Sequence, residues 1–141
     1  MNDHISIIHN FFISYSQDLV SKKKLEEINL QSISLDYLSK SRRGHLSSNF
    51  LLITEKKIRD KKFNLRNDFQ EKIKKIELIE SLQISNKGFI NINIKKKFLI
   101  KSLFKFIKER DNFGNSNYGN NKKINIEFVS ANPTGPIHVA H

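Results

Sequence analysis

Apolar residues recur along this chain with two periods, and the switches between them mark out its elements. Residues 4–20 place Ile5, Ile8, Phe12, Tyr15 and Leu19 three or four apart, the spacing of one face of an amphipathic helix. Residues 30–38 alternate instead, with Ile33, Leu35 and Tyr37 on one side, which predicts a short strand. Ser41 to Asn49 is polar, carries Gly44 and reads as a loop. A helix is expected from Ser47 or Ser48, either a suitable cap, with Phe50, Ile53 and Ile58 on its apolar face. Another follows Asn64, keeping Leu65, Phe69, Ile73 and Ile76 in register and gaining an Asp68–Lys72 i,i+4 pair.

Period two returns in residues 77–85 and 88–94, read as strands joined at Asn86-Lys87 with Gly88 directly after. In the second, Ile90, Ile92 and Ile94 face one way and Phe89, Asn91 and Asn93 the other, so one face is core and the other polar with a single aromatic. A helix over about 96–110 follows, with Leu99, Leu103, Phe106 and Ile107 expected inward. This order predicts a small α+β domain, helices packed on a mostly antiparallel sheet, over residues 1–110. Residues 111–122 are rich in Asn, Gly and Ser and read as a linker. Lys123 to Val129 has strand composition and runs into a Pro/Gly turn, the expected opening of a second domain whose remainder is missing.

Composition narrows the class. The 141 residues contain no cysteine, so there is neither a disulfide framework nor a thiolate metal site. No apolar run has the length of a membrane span, and the start carries Asp3 and Asp18 and no cleavage site; a soluble cytoplasmic protein is expected. Lysine and arginine total 25 against 14 acids, a net charge of +11 that favours a polyanionic partner. The lysine, isoleucine and asparagine bias, with only Ala131 and Ala140 as alanines, is also what AT-rich codons produce, so charge alone does not choose between nucleic acid binding and a basic scaffold.

The densest chemistry lies in the final stretch, Glu127-Phe128-Val129-Ser130-Ala131-Asn132-Pro133-Thr134-Gly135-Pro136-Ile137-His138-Val139-Ala140-His141. Pro133 and Pro136 fix φ and bias Asn132 and Gly135 to extended backbone, while Gly135 permits a sharp turn. If a helix begins there, His138 and His141 stack on one face at its start, where imidazoles and free N–H groups suit a phosphate. Two histidines without a third ligand do not make a zinc site.

This stretch resembles the segment of the arginyl-tRNA synthetases around the class I HIGH signature, and Glu127 through Pro136 keeps the family pattern unbroken. Gly44-His45-Leu46-Ser47-Ser48-Asn49 is similar to the family's Gly-Asp-(aliphatic)-(small)-(Ser/Thr)-Asn, and Gly88-Phe89-Ile90-Asn91 to its Gly-(Phe/Tyr)-Ile-Asn. The resemblance implies an additional amino-terminal domain that touches the tRNA D-loop (1–110), a linker (111–122) and the first strand of a Rossmann-like catalytic domain (123–141). It implies that Glu127, Ser130 and Asn132 hold arginine, and that Gly135, His138, Ala140 and His141 meet ATP within the signature region 131–141. His138 and His141 would stabilise charge developing on the phosphates. Phe89 and Asn91 would contact tRNA(Arg), the ring stacking on an unpaired base and the amide reading its edge. ATP arrives with Mg²⁺ as substrate, and no protein-bound metal, no membrane and a monomer are expected. Three departures stand out: Ala140 where the family has glycine, Asn86-Lys87 where it has Gly-Pro, and His45 where it has an acid. The 141 residues alone are expected not to aminoacylate, and a stand-alone RNA-binding module is the alternative.

Overall fold

The computed structural model describes residues 4–38, 44–115, 117 and 119–127. The helix predicted first runs from His4 to Ser21 (α1) and buries Ile8, Phe12, Tyr15 and Leu19, the apolar line expected from their spacing. The predicted strand over 30–38 is shorter. Leu30–Ser32 is a 3-10 turn because the Asn29 side chain accepts from the Gln31 N–H, and only Leu35–Tyr37 (β1) is strand.

Leu46–Ser48 is also a strand (β2), where the sequence pattern predicts loop; residues 41–43 of that loop lie outside the described residues. Its two serines give no apolar signal. Phe50–Thr54 (α2) is a helix of only five residues, continued by a 3-10 turn over Glu55–Lys57. The N-cap position is Asn49 rather than Ser47 or Ser48, although Ser48 Oγ accepts from the Phe50 N–H at 3.1 Å. Ile58 is not on that helix: it forms an antiparallel bridge with Leu25, secured by Glu26 N–H to Lys57 O (2.9 Å) and Arg59 N–H to Lys24 O (3.0 Å). Leu65–Ile73 (α3) follows Asn64, whose Oδ1 caps the Asn67 N–H at 3.1 Å.

Ile79–Ile84 (β3) and Ile90–Ile94 (β4) complete a four-stranded antiparallel sheet in the order β1-β2-β4-β3. The α+β prediction therefore stands. Ile90, Ile92 and Ile94 are fully buried beneath the helices. Above them Phe12 of α1, Phe50 of α2 and Phe69 of α3 converge, with ring centroids 4.5 Å (12–50), 5.3 Å (50–69) and 6.0 Å (12–69) apart. One ring per helix makes this cluster the joint between three helices, and each such pair adds about 0.5–1.5 kcal/mol beyond its area burial.

Lys96–Glu109 (α4) corrects the remaining expectation. None of its residues is buried, and Leu103, Phe106 and Ile107, expected inward, are 57%, 51% and 55% exposed. The helix touches the domain through its first turns instead. Phe98 and Leu99 pack against the core, and Ser102 Oγ lies 3.1 Å from His4 Nε2. The compact unit up to Lys108 is distinct from the one from Glu109 onward. In the latter, Arg110–Asn112 is a 3-10 turn and residues 122–127 have no regular structure. The strand predicted from Lys123 is thus not formed over its described part. Ile124 and Ile126 alternate as a strand would, but they are 69% and 63% exposed and no described strand pairs with them.

A polar cluster borders the aromatic core. Tyr15 donates its hydroxyl to Asp68 Oδ2 at 2.7 Å, and Lys72 Nζ lies 3.1 Å from the same oxygen. Burial pushes the Asp68 carboxyl up, but the Tyr15 hydrogen bond and the Lys72 ammonium more than offset it and hold its pKa below the ordinary 3.8. Burial, together with Asp68, pushes the Tyr15 hydroxyl well above its ordinary range. A lowered carboxylate stabilises the fold above its unfolded pKa and loses that contribution as pH falls through its folded value. Asp68→Asn is therefore expected to flatten the loss of stability as pH falls below about 4 and to cost about 1 kcal/mol at pH 7. Thermal midpoints across pH check this; parallel profiles for parent and variant overturn it.

Candidate nucleic-acid interface

The polar side of the sheet is built by strand register. Asp36, Ser47, Asn91 and Gln83 come from four different strands and are register partners in sequence, Asp36 with Ser47, Ser47 with Asn91, and Asn91 with Gln83. They form one row across the sheet on the face opposite Ile90 and Ile92. Next to it Asn93 donates through Nδ2 to Ser81 Oγ at 2.8 Å. In the first row Ser47 Oγ donates to Asn91 Oδ1 at 3.1 Å. That bond fixes which end of the Asn91 amide faces Ser47, and the NH₂ is its donor end.

Phe89 stands at the end of this face and is 42% exposed, which frees much of its ring for stacking. Its backbone is fixed: the Phe89 N–H donates to Ser85 Oγ (3.0 Å) and its carbonyl accepts from the Ser85 N–H (2.8 Å). The connection is therefore three residues, Asn86-Lys87-Gly88, rather than the two-residue turn expected. Gly88 donates to Ser85 O at 3.0 Å and takes φ +89°, while Asn86 and Lys87 keep negative φ, the arrangement of a turn closed by a glycine bulge.

Gly88 also seats the hairpin on α2. Its carbonyl accepts from the Leu52 N–H at 3.1 Å, and an added Cβ would lie 2.8 Å from Leu52 N. Arg66 in turn donates to both oxygens of Glu55, to Ser85 O (3.3 Å) and to Asn86 O (2.9 Å). The Glu55 hydrogen bonds raise the guanidinium pKa further above its ordinary value.

Of the residues singled out in sequence, Phe89 and Asn91 do share this face. Glu127 is exposed in a stretch without regular structure. Ser130, Ala131, Asn132, Pro133, Thr134, Gly135, Pro136, Ile137, His138, Val139, Ala140 and His141 lie outside the described residues. Sequence reasoning does not place Ser47 or Gln83 on this face, nor does it single out Glu55 and Arg66. Only the register reveals the first two, and only the fold brings the last two together. Several basic residues suited to phosphate contact are held in ion pairs, Lys57 with Glu26, Lys72 with Asp68 and Asp18, and Lys97 with Glu77. Among the described residues no group of three or more His, Asp or Glu could hold a metal ion, and no helix is long and apolar enough to cross a membrane.

Comparison with known proteins bears on this face. A family model described as the arginyl tRNA synthetase N terminal domain matches residues 15–94, more than half of the chain and inclusive of all four strands. The chain is 36% identical over 122 residues to an arginine–tRNA ligase of Bartonella quintana, covering 86% of this chain and 21% of the relative. It is 31% identical over 138 residues to an arginine–tRNA ligase of Ehrlichia ruminantium, covering 98% of this chain and 22% of the relative. A Brucella suis arginine–tRNA ligase is 33% identical over 126 residues, 89% of this chain and 22% of the relative. The chain thus spans about a fifth of the length of the curated relatives it matches. No solved structure matches it.

The hairpin geometry sets a sharp requirement at position 88. Gly88→Ala must adopt a strained positive φ and press its methyl into the Leu52 backbone. It is expected to lower folding stability by about 1–3 kcal/mol. Urea denaturation measures this, and a midpoint matching the parent's would contradict the clash.

Proposed function

Because the chain belongs to the arginyl-tRNA synthetase family through its N-terminal domain, we propose that it serves an arginine–tRNA ligase, with residues 1–110 as the tRNA-contacting domain. Residues 111–122 then link it to the opening of the catalytic domain at 123–141. The relatives join arginine to tRNA by name, and the same activity is proposed for the protein to which this chain contributes. Its partners are tRNA(Arg), arginine and ATP with Mg²⁺, its location cytoplasmic and its state monomeric. Glu127, Ser130 and Asn132 are read as arginine contacts, and Gly135, His138, Ala140 and His141 as ATP contacts, with the two imidazoles stabilising phosphate charge during adenylate formation.

The single observation that carries the tRNA assignment is the outer sheet face. An exposed residue, Phe89, lies two positions from Asn91, whose oxygen accepts from Ser47 and whose NH₂ is a donor. A ring to stack on and an amide to read an edge are what an unpaired base in a folded RNA needs. The row of Asp36, Ser47, Asn91 and Gln83 carries no cation, so it is suited to a base rather than to phosphate. A second reading, a stand-alone RNA-binding module, is favoured by the fact that the whole face lies within the unit ending at Lys108. It differs only in needing no catalytic partner.

Two measurements test these statements. The 141-residue chain should bind tRNA(Arg) in fluorescence anisotropy with an affinity that falls as salt rises. Phe89→Ala should weaken that binding by about 5- to 100-fold through lost stacking. Absence of binding at low salt, or an alanine variant that binds like the parent, rejects the tRNA face. Separately, the 141-residue chain alone is expected to give no arginine-dependent ATP–pyrophosphate exchange. Measurable exchange would overturn the division of labour between this stretch and the rest of the ligase.

A further inference from the structure

We propose that Arg66 and Glu55 act as a positioning clamp that sets the RNA-facing end of the β3–β4 hairpin. The inference rests on the reading of that face as a tRNA contact. Arg66 lies in the first turn of α3, Glu55 directly follows α2, and Ser85 and Asn86 open the hairpin turn. One guanidinium therefore joins three segments that are far apart in sequence. Nε and Nη2 donate to the two carboxylate oxygens of Glu55, Nη1 donates to Ser85 O at 3.3 Å, and Nη2 donates to Asn86 O at 2.9 Å.

The planar fork makes this possible. Two parallel bonds to Glu55 fix the plane of the guanidinium, and the remaining edge is then aimed at the turn carbonyls. A lysine ammonium is a point charge without that plane and cannot grip carboxylate and carbonyls together in the same way. The ion pair is about one-third exposed on each side, so its contribution to folding is small. Its geometric effect is larger. Ser85 is the residue whose Oγ holds the Phe89 N–H, and the Gly88 carbonyl accepts from the Leu52 N–H. Held at these points, the turn presents Phe89 in one direction and in step with Asn91. Arg66 is thus a positioning residue, acting through Phe89 and touching no base.

This role separates from two competing ones. If Arg66 met a phosphate directly, Arg66→Lys would keep the charge and bind nearly like the parent, and Glu55→Gln would not weaken binding. If it served folding alone, its loss would be independent of Phe89. A positioning role instead predicts weaker binding in both Arg66→Lys and Glu55→Gln, and non-additivity with Phe89→Ala.

The test uses the 141-residue chain and tRNA(Arg), with Arg66→Lys, Glu55→Gln, Phe89→Ala and the Arg66→Lys/Phe89→Ala pair. Circular dichroism first verifies that each variant folds, and Glu55→Gln provides an isosteric second route if Arg66→Lys does not. Arg66→Lys and Glu55→Gln are each expected to weaken binding by about 3- to 10-fold. In the Phe89→Ala background Arg66→Lys should add almost nothing. Hydrogen exchange at the Phe89 amide should also speed up in both clamp variants, a readout that needs no RNA. If Phe89→Ala weakens binding but folded clamp variants bind like the parent, the clamp is overturned while the tRNA face stands. Additive losses overturn it as well. If Phe89→Ala itself has no effect, the tRNA face fails and the clamp's functional role falls with it.

Discussion

The alternation along β4 is the constraint on which the rest of this domain depends. Ile90, Ile92 and Ile94 are fully buried, and the strand is paired on both sides, with β2 and with β3. A slip of one residue would send all three isoleucines to solvent and Asn91 and Asn93 into the core, so the register is fixed by burial on one face alone. Fixing it for the core also fixes it for the outside. Asn91 is then obliged to sit between Ser47 and Gln83, and Phe89 to project beside it. The placement of residues along the polar face is in this sense a by-product of hydrophobic packing, while hydrogen bonds such as that from Ser47 to Asn91 orient the side chains on it.

That coupling explains what can be read without coordinates. β4 and α3 are legible because their own side chains carry the period: Ile90, Ile92 and Ile94 at spacing two, Leu65, Phe69 and Ile73 at spacing four. β2 is not, because Leu46-Ser47-Ser48 is a strand through its neighbours. It pairs on both edges, and Ser48 is buried only because its Oγ finds Ser34 O at 2.7 Å. The turn type is hidden for a related reason. Asn86-Lys87 followed by glycine fits a two-residue or a three-residue connection, and the choice is made by the Leu52 N–H and the Arg66 guanidinium, which are remote in sequence. On α4 the apolar stripe is real but its expected direction is wrong. Periodicity shows that Leu99, Leu103, Phe106 and Ile107 share a face without saying which way that face turns. Of these, only Leu99 packs against this domain's core.

Charge also reads differently with coordinates in hand. A net charge of +11 suggests phosphate contact everywhere. Yet several lysines from the basic runs are engaged with acids, and the row of residues proposed to meet a base is amide, hydroxyl and carboxylate. Affinity from cations and selectivity from a face without cations are separable contributions, since phosphate contacts position an RNA while base contacts discriminate. On the proposed reading the two would fall on different residues, so that either could be altered without disturbing the other.

The two motifs singled out in the amino-terminal region prove to be one structural unit. Gly44 has φ +127°, and a Cβ there would lie 3.0 Å from Ile92 O, so glycine lets the chain enter β2 close against β4. Gly88 does the equivalent where β4 begins. Between them the polar residues divide the work. Ser47 holds the Asn91 amide, Ser48 accepts from the Phe50 N–H, and Asn49 bridges to Ser34 N–H (2.8 Å) and Ser32 O (3.1 Å). Even the departure at His45 fits this frame. Its Nδ1 accepts from the Ile94 N–H at 3.0 Å. A carboxylate, as in the acidic residue of the family pattern, is likewise an acceptor. What the position demands is therefore a lone pair facing the end of β4 rather than a negative charge. The same demand for geometry over charge runs through the Ser47–Asn91 and Arg66–Ser85 contacts.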